Sequence, residues 1–231
     1  MKIRIAKFLS NYGVASRRVA EQMIADGRIC INGNIIDSPV NFVDDTDIVM
    51  VDGKKIGGPK EILLYAFHKP INTMTTRSDP SGRKTIYDIL PPEYRTLKYI
   101  GRLDYKTTGL LLLTNDGDFA RRLTLPSSKI PRVYIANVDG DIKNLDKARR
   151  GITVDGIKYA PMKITVKSPG VLKIEITEGK KNEIRIVMRA CGCPVRKLHR
   201  ISYGEISIGD IKVGEIKKIK QKTIDLILKK L

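Results

Sequence analysis

The most informative run of the sequence is Gly101-Arg102-Leu103-Asp104-Tyr105-Lys106-Thr107-Thr108-Gly109, which continues into Leu110-Leu111-Leu112-Leu113-Thr114-Asn115-Asp116-Gly117. Four consecutive leucines are typical of a strand buried in a core. Asp104 stands in the loop just before them, so we predict that the strand holds its carboxylate in a fixed position. Arg102 and Lys106 are expected to keep Asp104 ionised and to attract phosphate. The simpler hypothesis is that Asp104 only caps a turn.

The composition favours a polyanionic partner. The 231 residues carry 43 lysines and arginines against 25 acidic residues, a formal net charge of +18. Nucleic acid or an anionic membrane surface attracts such a chain, but the longest apolar run, Ile62 to Phe67, is far too short to span a bilayer. A hydrophobic content of 42% excludes a disordered basic tail. Three cysteines without a framework spacing, and no stretch of signal-peptide type, predict a cytoplasmic protein.

Two helices are predicted in the first thirty residues. The first ends at Gly13, and its apolar stripe consists of Ile5, Phe8, Leu9 and Tyr12. Ser16 is a candidate N-cap for the second helix. The inner face of that helix is predicted to comprise Val19, Ala20, Met23 and Ile24. Arg17 and Arg18 then stand in its first turn, where the helix dipole disfavours cations. Either an anion binds there, or the two arginines are simply solvated.

Two hairpins complete this part of the chain, and a break follows them. The pairs Asn32-Gly33 and Asp52-Gly53 each lie beside short apolar runs and predict tight turns. The run Gly57-Gly58-Pro59-Lys60 interrupts both helix and strand. We therefore predict a small N-terminal α/β domain over residues 1–58, a linker over 59–61 and a larger domain over 62–231.

The larger domain mixes strands with helices. The predicted strands are Ile62 to Phe67, Arg132 to Val138, Tyr159 to Val166, Val171 to Thr177 and Ile201 to Ile208. The predicted helices are Asp118 to Leu125, Ile142 to Arg150 and Asn182 to Cys191. Because they follow no strict βαβ repeat, we predict an α+β fold with a mixed, largely antiparallel sheet. The lysine-rich stretch Lys217 to Lys230 is predicted to be a solvated surface segment.

Motifs for cofactors and metals are not found in the sequence. It has no Gly-x-Gly-x-x-Gly run and no phosphate-binding Gly-Lys-Ser/Thr loop. His68 and His199 lie far apart in the sequence, and Cys191 and Cys193 are spaced C-x-C. Packed thiols are therefore favoured over a metal site. We expect chemistry that uses no cofactor and no metal.

The first domain resembles a known RNA-binding module. The matching runs are Lys7-Phe8-Leu9, Gly13-Val14-Ala15-Ser16-Arg17-Arg18, and Gly27-Arg28-Ile29 through Asn32-Gly33. At this spacing they resemble the alpha-L RNA-binding module, first known from a small-subunit ribosomal protein. The resemblance implies that Arg17, Arg18 and Arg28 contact the RNA backbone. Such contacts are sensitive to salt and carry little sequence information.

The second domain resembles the pseudouridine synthases, in the branch that contains the ribosomal enzymes RsuA and RluB. Gly101 to Gly117 is similar to the family signature, and further motifs follow in the family's order: Lys69-Pro70, Arg132-Val133-Tyr134, Glu178 to Arg185, and Leu198-His199-Arg200 with Gly204. The resemblance implies a catalytic domain with a central cleft. It also implies isomerisation of uridine to pseudouridine, in which C5 of the base replaces N1 on the ribose without oxidant, metal or ATP.

The same resemblance assigns roles to individual residues. Asp104 is the implied catalytic carboxylate, and Arg185 is implied to pair with it. Tyr134 is implied to stack on the uracil and to relay a proton from C5. Ile184 forms part of the apolar wall under the base, and Arg102 fills the gap left when the nucleotide is extruded. The further substrate or RNA contacts implied by the motifs are Lys69, Lys180 and Arg200.

Two of these roles have simpler alternatives, and two residues depart from the pattern of the family. Tyr134 is equally suited to be a packed core residue, and Arg185 to be a solvated helix residue. Glu183 stands where glutamine is common in the family, and Ile186 where a second basic residue is frequent. Both departures bear on the RNA contacts more than on the catalytic pair.

These observations predict a cytoplasmic, monomeric pseudouridine synthase that acts on ribosomal RNA or on an assembling ribosomal subunit. The run Gly13 to Arg18 favours large-subunit RNA, and small-subunit RNA is the nearest alternative. A non-catalytic assembly factor on the same fold is a second alternative. An RNA methyltransferase is a third, disfavoured because the sequence has no glycine-rich cofactor loop.

Overall fold

A computed structural model describes residues 2–44, 46–57 and 61–230 of the chain. The chain divides into two compact units, Met1–Leu63 with Asn115–Gly117, and Leu64–Thr114 with Asp118–Leu231. The predicted linker falls mainly on residues 59 and 60, outside the described ranges, so its position stays a prediction. Within the described ranges, every helix is too short or too polar to cross a bilayer.

The first unit contains two helices and six short strands in its described residues. The helices are α1 (Ile5–Asn11) and α2 (Arg17–Ala25). The strands are β1 (Ile3–Arg4), β2 (Ile29–Ile31), β3 (Asn34–Ile36), β4 (Phe42–Val43), β5 (Val49–Val51) and β6 (Lys54–Ile56). A four-stranded antiparallel sheet has the order β3-β2-β5-β6, and β1 pairs with β4.

Local signals in this unit predicted the structure well. The Ser16 hydroxyl accepts a hydrogen bond from the Val19 N–H at 3.3 Å, which confirms the predicted N-cap. Asn32-Gly33 and Asp52-Gly53 all have positive φ, as two-residue hairpin turns require. The prediction for Val19 was wrong: its side chain is 54% exposed. The buried face starts one residue later because it follows the i, i+3, i+4 spacing of Ala20, Met23 and Ile24.

Beyond Leu63 the described chain forms five helices and eleven strands. The helices are α3 (Ile86–Ile89), α4 (Gly117–Thr124), α5 (Leu145–Arg150), α6 (Glu183–Ala190) and α7 (Gln221–Lys230). The strands are β7 (Leu64–Lys69), β8 (Lys98–Ile100), β9 (Thr107–Thr114), β10 (Arg132–Val138), β11 (Ile152–Val154), β12 (Ile157–Tyr159), β13 (Lys163–Ser168), β14 (Val171–Ile176), β15 (Val195–Tyr203), β16 (Ile206–Ser207) and β17 (Ile216–Lys218).

Nine of these strands form one twisted sheet. Its order is β13-β14-β10-β15-β9-β7-β17, with β16 paired to β15 and β8 paired to β9. The β15–β9 pair is parallel, and the other pairs are antiparallel. The predicted α+β fold with a mixed, largely antiparallel sheet is therefore confirmed. The four leucines of β9 are buried at the centre of the sheet, as their apolar run predicted.

Four predicted segments differ from the structure. The strand predicted from Tyr159 to Val166 is two strands, because Pro161 lacks the N–H that would continue the ladder. The strand predicted from Ile201 turns at Gly204, where φ is +56°, and returns as β16. The helix predicted from Ile142 opens as a 3-10 turn before α5. The segment Lys217 to Lys230 is mostly exposed, as predicted, but it also takes part in β17 at the sheet edge and in α7, which buries Ile224.

Gly109 allows the parallel strands at the centre of the sheet to approach closely. It pairs with Arg200 of β15 and has a φ of +109°. A Cβ at this position would lie 2.3 Å from the backbone oxygen and 2.6 Å from the backbone nitrogen of Arg200. Only glycine satisfies both the backbone angle and the close contact. Gly109 therefore sets the distance between β9 and β15 next to the loop that carries Asp104.

Candidate active site

A cavity of about 420 Å³ lies over one face of the central sheet. This volume is within the range of sites that hold small ligands. Its floor comes from neighbouring strands, where Tyr134 of β10 pairs with Arg200 of β15 and Leu198 of β15 pairs with Thr107 of β9. Residues 178–182 and the start of α6 form another wall. The side chains on its floor are therefore held by strands of the core sheet.

The structure brings together most of the residues predicted for this site. Six of them line the cavity: Arg102, Asp104, Tyr134, Lys180, Ile184 and Arg200. Arg102 is exposed, Asp104 is partly buried, and Tyr134 and Ile184 are buried. Lys69 and Arg185 instead hydrogen-bond the backbone of the Asp104 loop. Both contacts lie on the backbone just after Asp104 and therefore restrict the path of its loop.

The loop that carries Asp104 is fixed through five successive backbone carbonyls. The bonds run from Thr75 Oγ1 to Leu103 O (2.9 Å), Thr107 N to Asp104 O (2.9 Å), Asn72 N to Tyr105 O (2.8 Å), Arg185 Nη2 to Lys106 O (2.8 Å) and Lys69 Nζ to Thr107 O (2.8 Å). A loop whose consecutive carbonyls are all bonded has little freedom to move. The structure thus presents Asp104 on a rigid support at the start of β9.

The surroundings of Lys69 contradict the RNA contact that was expected for it. An RNA contact was expected there, but the side chain is 0% exposed, and its Nζ donates to the carbonyls of Pro70 and Thr107, both at 2.8 Å. Burial lowers the pKa of Lys69 to about 8, while the charge of Asp104 opposes that shift. Lys69 is therefore a positioning cation behind the Asp104 loop, because RNA has no access to its ammonium group.

The hydrogen bonds of Arg185 also differ from the contact that was expected. A direct ion pair with Asp104 was expected, but the guanidinium donates from Nη1 to Val195 O at 2.9 Å and from Nη2 to Lys106 O at 2.8 Å. Arg185 thus ties β15 to the loop next to Asp104. Its charge still favours ionised Asp104. The two side chains interact through space and not as a hydrogen-bonded pair.

The protonation of Asp104 is governed by its surroundings. Burial raises the pKa of this carboxyl above its ordinary value. Opposing contributions come from Arg185, Arg102, the backbone N–H of Asn182 and Lys69, in that order, and together they do not cancel the effect of burial. As expected, the charge of Arg102 favours the ionised form, whereas Lys106 is not among these contributions. A carboxylate with a raised pKa is a better base and nucleophile than an exposed aspartate.

Two basic and two aromatic side chains form a buried cluster under the cavity. Arg200, 1% exposed, donates from Nε to Leu110 O at 2.7 Å, and its Nη1 lies 3.5 Å from the Tyr134 hydroxyl. Arg132 donates from Nη2 to the Tyr203 hydroxyl at 3.0 Å. A register shift between β10 and β15 puts Arg200 and Tyr203 on the same face although they are three residues apart. The cluster holds the hydroxyl end of Tyr134.

Arg132 and Tyr203 are site residues that the sequence reasoning missed. Arg132 belongs to the Arg-Val-Tyr motif, which was the available signal, and it lines the cavity. Tyr203 is joined to it by a cross-strand register that includes a bulge. Asn182 and Glu183, on the opposite wall, were quoted within a motif but given no role. The departure from glutamine at position 183 was the available signal for Glu183.

The basic residues predicted in the RNA-binding module differ in their surroundings. Arg17 and Arg18 are exposed in the first turn of α2, as predicted. Arg28 donates two hydrogen bonds to Asp52, at 2.9 and 2.5 Å, and both side chains are about half exposed. The charge of Arg28 is therefore compensated locally, while those of Arg17 and Arg18 face solvent.

His68 and His199, far apart in the sequence, are neighbours in the sheet. Their ring centroids are 5.1 Å apart. His199 lies between two cavity-facing residues of β15, so its side chain is on the opposite face of the sheet. In the described ranges, no three or more histidine, cysteine or acidic side chains are grouped closely enough to hold a metal ion.

Comparison with known proteins finds similarity over nearly the whole chain. A family profile described as RNA pseudouridylate synthase matches residues 64–190, and one described as S4 domain matches residues 3–49. A protein of Rickettsia conorii named as an uncharacterized RNA pseudouridine synthase is 39% identical over 227 residues, covering 96% of this chain and 98% of the relative. A protein of Aquifex aeolicus with the same description is 40% identical over 214 residues, covering 89% and 86%.

One solved structure shares the whole fold. It is titled crystal structure of pseudouridylate synthase and superposes with a TM-score of 0.70 at 24% identity. The match covers 96% of this chain and 98% of the other. The similarity therefore extends over both units described above.

Proposed function

Because this chain belongs to the RNA pseudouridine synthase family and carries an S4 domain, we propose that it converts a specific uridine of large-subunit ribosomal RNA to pseudouridine in the cavity described above. The observation that carries the proposal is the position of Asp104. Its carboxylate lies on a loop with five bonded carbonyls, at a cavity that also contains Tyr134. The family's reaction is an isomerisation, so no group is gained or lost.

The substrate base must leave its stack to reach the cavity. Extrusion of a nucleotide costs a few kcal/mol, which contacts made inside the pocket must offset. We assign Arg102, the exposed guanidinium on the cavity lining, to the gap left in the RNA. Ile184, 3% exposed, supplies the apolar surface under the base, and the ring of Tyr134 supplies a stacking surface. Lys180 lines the same wall, and we assign it to an RNA phosphate although its ammonium group is paired with Glu178 in the absence of RNA.

In the reaction the bond between C1′ and N1 breaks, the base turns, and C1′ bonds to C5. The proton on C5 is then lost and N1 gains one, so the atoms balance without a co-reactant. Asp104 supplies the reacting carboxylate, either to the sugar or to the base. The Tyr134 hydroxyl is assigned as the relay for the C5 proton, since Arg200 Nη1 lies 3.5 Å from it and holds its orientation. Arg200 thus acts on the base through Tyr134.

Mapping the modified nucleotide tests the choice of substrate. Carbodiimide treatment followed by primer extension stops at pseudouridine, and the experiment compares cells with and without the gene. We expect a stop in large-subunit RNA that disappears with the gene and returns with a plasmid copy. Loss of a stop in small-subunit RNA would support the alternative substrate. An unchanged pattern in both RNAs would contradict the ribosomal proposal.

Arg185→Lys is expected to lower kcat by about 10- to 100-fold, because lysine cannot bond Val195 O and Lys106 O together and the Asp104 loop loses its tie to β15. Single-turnover release of tritium from 5-labelled uridine in RNA measures the effect. Arg189→Lys, on the exposed side of the same helix, is the control. If both variants keep wild-type kcat, Arg185 has no positioning role.

The S4 domain should contribute the salt-dependent part of RNA binding. The double variant Arg17→Ala/Arg18→Ala is expected to reduce the slope of log affinity against log salt by about 1.4, at about 0.7 per phosphate contact with single-stranded RNA. Arg28→Ala is the matched control, and a smaller change is expected because Asp52 already compensates its charge. Filter binding at several salt concentrations measures the slopes. Equal slopes for wild type and the double variant would remove Arg17 and Arg18 from the RNA interface.

A further inference from the structure

Two carboxyl groups meet on the cavity wall opposite the sheet. They belong to Glu178, in the segment before α6, and to Glu183, the first residue of α6. Glu183 is only 3% exposed. The two side chains lie close enough to shift each other's pKa in opposite directions, and a hydrogen bond between two carboxyl groups requires one shared proton.

The surrounding bonds identify which of the two carries the proton. Glu178 accepts from the Ala160 N–H at 2.7 Å through Oε1 and from the Lys180 ammonium through Oε2, so both of its oxygens act as acceptors. Glu183 accepts from the Lys180 N–H at 2.8 Å through Oε2. Within the described ranges its Oε1 is buried without any donor. A proton on Oε1, donated to Glu178, satisfies this atom.

The charges facing Glu183 agree with a neutral carboxyl group. Burial raises the pKa of Glu183 to about 7, and Glu178 adds to the rise against the Lys180 N–H. Burial alone would raise the pKa of Glu178, but its hydrogen bonds with Ala160, Lys180 and Glu183 bring it below the ordinary value. The Lys180 ammonium already pairs with Glu178. The other charged groups on the cavity are Arg102, Asp104, Arg132, Lys181 and Arg200.

We propose that Glu183 is a positioning residue that works in its neutral form, donating its carboxyl proton to Glu178 and so tying the start of α6 to residues 178–182. Lys180 and Glu183 are also joined through the Glu183 N–H and Lys180 O at 3.2 Å. The tied segment includes Asn182, whose N–H favours ionised Asp104, and is followed by Ile184 under the base. A glutamine, common at this position in the family, would donate the same hydrogen bond without a titrating proton.

The inference rests on the proposed function, and it fixes the direction of a pH effect. Glu183 loses its proton as pH rises, which places two adjacent negative charges in the wall and weakens the bonded arrangement of residues 178–182. The neutral fraction of a group titrating near 7 falls by about 25-fold between pH 6.5 and pH 8.5. Activity that requires neutral Glu183 should therefore fall between pH 6.5 and pH 8.5.

Single-turnover tritium release from pH 6 to 9 compares wild type, Glu183→Gln and the control Glu93→Gln, which makes the same change at an exposed site. The ratio of the Glu183→Gln rate to the wild-type rate is expected to rise by about 20-fold from pH 6.5 to pH 8.5. The ratio of the Glu93→Gln rate to the wild-type rate should stay constant. Titration of Lys69 affects every variant equally, so its effect cancels in both ratios. A constant ratio for Glu183→Gln would overturn the proposal.

Infrared difference spectroscopy gives a readout that is independent of catalysis. The wild-type protein at pH 6 is expected to show a carboxylic-acid C=O band that fades with a midpoint near 7 and does not occur in Glu183→Gln. If this band is present but no RNA is modified at any pH, the proposed function fails while the neutral Glu183 stands. If RNA is modified but the band does not occur, the inference about Glu183 fails alone.

Discussion

Asp104→Asn is expected to abolish pseudouridine formation, by about 10³-fold or more, while RNA affinity stays within twofold of wild type. Asparagine keeps the shape of the side chain but has neither the charge nor the basicity that the reaction needs. The backbone bonds that fix the loop do not involve the carboxylate, so they remain. Tritium release from 5-labelled uridine measures activity, and filter binding measures affinity.

The same variant should not be less stable than wild type. Burial raises the pKa of Asp104, so the folded protein holds this proton more tightly than the unfolded chain does. The ionised carboxylate at neutral pH therefore costs stability, and this cost grows as pH rises through the folded pKa. We expect an equal or higher melting temperature for Asp104→Asn. Asp146→Asn, at an exposed position on α5, is the control for both activity and melting. Full activity in Asp104→Asn would overturn the catalytic assignment of Asp104, whereas RNA binding without activity in the wild-type protein would favour the non-catalytic assembly factor.

Gly109→Ala is expected to lower the free energy of unfolding by about 3 kcal/mol or more. The new Cβ would lie 2.3 Å from the backbone oxygen of Arg200. Because a backbone atom cannot move aside as a flexible side chain can, β9 and β15 must separate. The positive φ of +109° adds strain for any residue with a Cβ. Urea unfolding followed by circular dichroism measures the loss.

Gly156→Ala provides the matched control for this effect. It also has a positive φ, +74°, but a Cβ there meets no atom within 4 Å. Its cost should be limited to the backbone strain, about 1 kcal/mol. If the two variants lose the same stability, the close approach of β9 and β15 is not what requires glycine at position 109.

Local patterns predicted much of the fold and the centre of the site. The leucine run predicted β9, the Asn-Gly and Asp-Gly pairs predicted the hairpins, and Ser16 predicted the start of α2. Each of these signals lies within a few residues of the structure it determines. Asp104 was identified for the same reason, because its loop adjoins a strand that is recognisable from sequence alone.

Contacts between distant segments were not predictable in the same way. The residue type of Lys69 or Arg185 does not reveal whether its donors bind RNA or buried carbonyls, and both bind carbonyls. The contact of Arg200 with Tyr203 depends on a bulge in the β10–β15 register. His68 and His199 are neighbours in space only because β7, β9 and β15 lie side by side in the sheet. The exposed fraction and the partners of a polar side chain are set by such tertiary pairings.

The most direct test of the proposed reaction measures tritium release from 5-labelled large-subunit transcript by the purified protein. We expect release that approaches one tritium per RNA molecule with wild-type protein and none with Asp104→Asn. Bare transcript and isolated subunit precursors are both assayed, since either is an allowed substrate. No release from large- or small-subunit RNA in either form, by protein that binds these RNAs, would contradict the proposed reaction.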